Sequence, residues 1–130
     1  MSRQSPPVPR SEHFSLSEFG VDVPQKYWSR IQILMDQLEV LRESLGGAAI
    51  RIISGFRSRA HNRRVGGAWF SQHKRGKASD LRVAGYSPKE VADEIEKLIR
   101  EGRMLQGGLG RYENFTHYDI RGRRSRWDKT

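Results

Sequence analysis

"SQHKRGKASD", Ser71 to Asp80, sets a histidine and an aspartate seven residues apart in a basic stretch, with Gly76 between them. A solvated charge run accounts for the lysines and the arginine. It does not account for a second pair, "HYD", at His117 to Asp119. The chain has no cysteine, so disulfides and thiolate ligands are excluded and any metal must be held by imidazole and carboxylate. A catalytic zinc centre needs three protein ligands and one open position, and His73, Asp80 and His117 can supply them. Asp80 begins the strand-like "SDLRV", His73 lies in the loop before it, and Gly76 lets the chain turn back between them. His117 would arrive from a neighbouring strand, "FTHYDI". Spacing alone leaves the bland alternatives open: a surface histidine, and an aspartate that caps a turn. His13 and His61 lack carboxylates at ligand-like spacing and fall outside the set.

Strand parity adds to this. Side chains two apart share a face, so Asp119 points the same way as His117. There it could take a proton from an attacking water or orient the imidazole from behind. Glu113 has the same parity if the strand extends that far back.

Around these segments the chain reads as α+β. Residues 1–12, rich in Pro, Ser and Arg, form a flexible lead-in, and 13–130 form the domain. "SLSE" has capping-box spacing and predicts a short helix at Ser15. From Pro24 to about Leu45, Trp28, Ile31, Leu34, Leu38, Leu41 and Leu45 recur at steps of three and four, one helix face ending at Gly46-Gly47. "AIRIIS" predicts a strand from about Ala49. Gly55 to Lys77 has no period and four glycines, a long loop of the kind that carries function. "SPKEVADEIEKLIREG" predicts a second helix, with Ser87 as cap, Pro88 first, and Val91, Ile95, Leu98 and Ile99 buried. "GGLGRY" and "FTHYDI" predict the arms of a hairpin.

The 130 residues suffice for one modest core. Apolar residues are 35% and charged ones 30%, low for a globular chain, but the periodicity of both helices argues for folding. The net charge of +9 is concentrated in Arg57, Arg59, Arg63, Arg64, Lys74, Arg75 and Lys77, and in the tail "RGRRSRWDKT". Such a field attracts polyanions without choosing among them. No segment is apolar enough to span a membrane, and "MSRQSPPVPRSE" contains no secretory signal.

"SGFRSRAHN", then "GGAWFSQHKRGKASDLRV", then "GGLGRYENFTHYDIRG" with "SRW" together resemble the zinc D-alanyl-D-alanine carboxypeptidases of peptidase family M15. The nearest branch is that of small wall peptidases with an S-x-H, G-x-A-x-D, H-x-D signature, and the match runs from about Phe14 to Trp127. The resemblance implies a hedgehog/DD-peptidase type of α+β fold: a small antiparallel-rich sheet, two main helices and a long Gly-rich active-site loop. It implies zinc on His73, Asp80 and His117, and hydrolysis of an amide bond in peptidoglycan stem peptides or crosslinks. Arg57 matches the family arginine that faces the scissile carbonyl or a substrate carboxylate, roles that a fixed guanidinium suits. Ser71 matches a position near substrate, though its hydroxyl could equally bond the loop backbone. Asn62 and Gln72 would shape the loop, and Trp127 would pack the tail onto the body. Many members carry a carboxylate three residues before the last histidine as the base. Here that residue is Asn114, which leaves Asp119 as first choice of base and Glu113 as second.

The expected reaction is metal-assisted hydrolysis, with Asp119 or Glu113 removing a proton from water and Arg57 stabilising the oxyanion. The expected molecule is a monomer that acts in the periplasm or at the cell wall after holin-type release or another delivery route, with anionic envelope polymers as possible partners. The rival is a non-catalytic module that keeps the zinc fold to bind wall peptides or a protein. Nucleic acid is not expected, because no helix carries the basic residues as a stripe.

Overall fold

The computed structural model describes residues 6–58, 64 and 71–130. Five strands form one sheet in the order β1-β2-β4-β3-β5: β1 Ile50–Ser54, β2 Ala78–Val83, β3 Gly108–Tyr112, β4 Thr116–Asp119 and β5 Ser125–Lys129. Every neighbouring pair is antiparallel except β3 and β5, which run parallel. Helices α1, Trp28–Ser44, and α2, Pro88–Arg100, complete an α+β architecture.

Each helix is buried along the stripe its periodicity predicts. Ile31, Leu34, Met35, Leu38 and Leu41 of α1 meet Val91, Ala92, Ile95, Leu98 and Ile99 of α2 in one core with Ile50, Leu81, Val83, Leu109 and Tyr118 of the sheet. The α2 entry is fixed by a reciprocal cap: the Ser87 hydroxyl accepts from the Glu90 N–H at 3.1 Å, and the Glu90 carboxylate from the Ser87 N–H at 2.9 Å. The "SLSE" segment forms a single 3-10 turn, Leu16–Phe19. Its buried Phe19 accepts a backbone hydrogen bond from Phe56, just past β1. Upstream, Pro9 is buried and Arg10 exchanges two hydrogen bonds with Gln32 of α1.

The predicted strands and hairpin form. The tail departs from expectation: "SRWDK", read as part of a basic tail, is a fifth strand on the sheet edge. Arg126 drives this docking, since its guanidinium forks onto Glu96 of α2 at 2.7 and 2.8 Å, with Arg124 adding a third contact at 3.2 Å. The expected loop from Gly55 to Lys77 contains a short 3-10 helix, Gln72–Arg75. His61 and Asn62 lie outside the described residues.

Candidate metal centre

The helices cover one face of the sheet, and the polar groups collect on the other. The register aligns Ser54, Asp80, His117, Gly110 and Trp127 in a row across β1, β2, β4, β3 and β5. Asp119 lies one step along the same face, opposite Ala78. Two glycines make room for this row. A Cβ on Gly108 would collide with the Asp119 carboxylate, and one on Gly110 with the Trp127 indole.

His73 comes from the 3-10 helix before β2. Ser71 caps that helix, its hydroxyl accepting from the His73 N–H at 3.2 Å. Gly76 then takes a left-handed conformation (φ 69°) that returns the chain into β2. The result places ligand atoms of His73, Asp80 and His117, all buried, within 4.8 Å of one another.

The donors define what this cluster can hold. His73 Nδ1–H donates to the Gly55 carbonyl at 2.7 Å, because a carbonyl can only accept. By the same logic His117 Nε2–H donates to Asp119 Oδ2 at 2.6 Å. The remaining ring nitrogens, His73 Nε2 and His117 Nδ1, therefore turn lone pairs toward Asp80 Oδ1 at 3.2 and 2.9 Å. Neutral rings facing an anionic oxygen in a buried site repel it. Burial disfavours a charged His117, yet Asp119 and Asp80 outweigh it and raise the imidazole pKa. A proton on that ring relieves one of the two contacts, whereas a divalent cation relieves both. Burial likewise opposes ionisation of Asp80, but a proton on His117 turns that ring into a donor and holds the carboxyl below the usual range. Two imidazoles and one carboxylate, oriented by their outer hydrogen bonds, are a zinc-type donor set.

Arg57 lies beside this group. Its Nε donates to Ser54 at 3.2 Å and its Nη2 to Asp80 Oδ2 at 3.3 Å, on the side of the carboxylate away from the imidazoles. Asp119 is fully buried and accepts from His117, from the Gly108 and Arg121 N–H groups, and from both arms of the Arg121 guanidinium. Burial alone would raise its pKa, but His117 and Arg121 hold it far below the usual range. Glu113 is not brought to the cluster. β4 begins at Thr116, so the strand does not reach back to Glu113, which is exposed in the β3–β4 turn and lines a cavity with Pro88 and Val91 of α2. His13 pairs with Glu39 of α1 at 2.7 Å.

The family model described as Peptidase M15 matches residues 12–119. The chain belongs to the peptidase M15 family. No curated protein matches it. M15 membership implies metallopeptidase activity, and the His73, Asp80 and His117 group is where this M15 chain could hold its metal. Among the described residues no helix is long and apolar enough to cross a membrane.

Three neighbours of the centre escaped the sequence reading: Gly108, Gly110 and Arg121. One signal was present for Arg121, which follows Asp119 by two residues as Asp119 follows His117. For Trp127, expected only to pack the tail, the structure adds a specific partner. Its ring centroid lies 4.9 Å from that of His117, while its Nε1–H donates to the Tyr112 hydroxyl at 2.9 Å.

Proposed function

We propose that this M15 chain is a zinc-dependent peptidase that hydrolyses an amide bond in the stem peptides or crosslinks of bacterial peptidoglycan. The observation that carries this reading is the pair of imidazole nitrogens converging on one Asp80 oxygen, a contact that a single divalent cation relieves on both sides. Bound there, zinc would supply a Lewis acid and activate water at neutral pH. The residues around it divide the remaining work. Arg57, held by Ser54 and Asp80, offers its guanidinium to the scissile carbonyl as charge develops on its oxygen. Asp119 holds the tautomer and ring plane of His117, a positioning role, because all its acceptor capacity is spent on donors already present. Ser71 fixes the turn that carries His73, and its position next to that turn is where the family resemblance would bring substrate.

The basic surface would concentrate the enzyme on an anionic envelope, an effect that salt should weaken. The test is mass spectrometry of purified muropeptides after incubation with and without a chelator. New fragments that vanish with the chelator name the bond and establish the metal dependence. Unchanged muropeptides with zinc bound would favour the second reading, a non-catalytic module for wall peptides. That reading has its own support: Asn114 cannot take a proton, Asp119 is saturated, and Glu113 faces another cavity.

A further inference from the structure

The metal row has a neighbour on the same open face of the sheet. Ile50, Ile52, Leu81 and Val83 turn toward the helices, so Arg51 and Arg82, paired directly across β1 and β2, turn the other way. Phe115 and Tyr112 stand two residues along from His117 and Gly110, and Lys129 two along from Trp127. The Tyr112 N–H donates to the Phe115 carbonyl at 3.3 Å, and Tyr112 lies opposite Lys129. A second row, Arg51, Arg82, Phe115, Tyr112 and Lys129, therefore crosses the sheet about 7 Å from the metal row, two residues along the strands.

This row has an aromatic centre between cationic ends. The Tyr112 and Phe115 rings, both half-buried, stack at 4.3 Å and 15°. Arg51, Arg82 and Lys129 are exposed, and the row contains no carboxylate. The Arg82 Nε–H donates to the Asn114 carbonyl at 2.6 Å, which holds that guanidinium at the β3–β4 turn. Arg51 opposite it is a like charge, an arrangement that costs free energy until a ligand rich in oxygen accepts from both. On the side of the metal, the Tyr112 hydroxyl accepts from Trp127 Nε1–H at 2.9 Å, and Trp127 in turn lies against His117. The second row is thus continuous with the candidate centre.

The span and the chemistry of the row together select its occupant. From β2 to β5 are three strand spacings, about 14 Å, far more than one phosphate or carboxylate fills but suited to two linked sugar rings. The negative faces of aromatic rings attract the polarised C–H bonds of a pyranose, and guanidinium groups donate to its hydroxyl and acetamide oxygens. A chain of phosphates would instead lay anions over the aromatic centre, whose faces repel them.

We propose that this second row seats the sugar part of the muropeptide while its stem peptide lies at the metal row. The identity of the sugar is taken from the peptidoglycan reading, on which this assignment rests. Tyr112, Phe115, Arg51 and Arg82 then determine specificity for the glycan-bearing form of the substrate.

Chitotetraose supplies sugar without a stem peptide, and its binding to the zinc-loaded protein is measured by titration calorimetry. Arg51→Gln, Arg82→Gln and Phe115→Leu should each weaken it on the order of threefold to tenfold. In parallel, KM is compared for GlcNAc-MurNAc-L-Ala-D-Glu-L-Lys-D-Ala-D-Ala and for the same pentapeptide without sugar. The parent should favour the sugar-bearing form, and the variants should bring the two KM values together. Arg51 is exposed, so Arg51→Gln keeps the test standing should Phe115→Leu disturb the turn. Chitotetraose that does not bind, or that binds all three variants as it binds the parent, overturns the sugar site. A parent KM indifferent to the disaccharide overturns its use by the substrate. Polyglycerol phosphate that binds more tightly than chitotetraose, through the same residues, overturns sugar as the occupant. Chitotetraose binding that the variants weaken, with no hydrolysis of either peptide, leaves the site standing and sinks the peptidase reading alone.

Discussion

His117 shows how a single imidazole acquires its orientation. Its Nδ1 can face Asp80 only while Nε2–H is held by Asp119, and Asp119 is in turn gripped by the Arg121 fork at 2.9 and 2.7 Å. Asp119→Asn should therefore lower zinc affinity by about 10- to 100-fold, the usual cost of losing an outer-shell carboxylate, as read by competition with a chromophoric chelator. Turnover lost at full zinc occupancy would instead make Asp119 the proton acceptor and remove the positioning role. Gly110 acts from the opposite side. The Trp127 indole occupies the space its side chain would fill, so Gly110→Ala must push the ring off His117. A cost of about 1–3 kcal/mol in chemical denaturation is expected, with quenching of Trp127 fluorescence altered in the folded state.

At the level of elements, β5 is the piece whose attachment is most electrostatic. Its residues are intermediate or exposed, and among the described residues it pairs with β3 alone, so Glu96 on α2 does much of the holding through Arg126 and Arg124. Hydrogen bonds from Arg126 lower the Glu96 pKa from its ordinary 4.5 to about 2. The sign follows from linkage. A depressed carboxyl contributes stability in full above 4.5, and that contribution drains away as pH falls toward about 2. Glu96→Gln should thus cost about 1 kcal/mol at neutral pH and nearly nothing at the acid end of that window. Hydrogen exchange of the Ser125–Lys129 amides would report the loosening directly. The same strand marks a limit of sequence reading. Both helices, β1, β2 and the hairpin were legible because their apolar residues carry the periods of 3.6 and 2. "SRWDK" offers one apolar residue among charges, and what makes it a strand is an ion pair with Glu96, about 30 positions away, that no local period encodes.

Across the whole molecule, the ligand set was legible and its second layer was not. His73, Asp80 and His117 stand in a motif, whereas the tautomers depend on the Gly55 carbonyl and on Asp119 lying where folding puts them. Glu113 illustrates the same boundary, since its parity with His117 held only for a strand longer than the one that forms. The centre also ties the fold together. Its three residues come from a 3-10 helix, β2 and β4, so a cation bound among them bridges segments that separate on unfolding. Zinc should therefore bind the native state alone. At a hundredfold excess over its dissociation constant that adds about 2.7 kcal/mol, a rise on the order of 10 °C in Tm for a domain of this size. Chelator should reverse the shift, and His73→Ala should abolish it while leaving the metal-free Tm close to that of the parent, because the buried lone-pair contact with Asp80 goes with the ring. A parent Tm indifferent to zinc would mean that no cation bridges the two imidazoles and Asp80, and the metal centre would be lost with it.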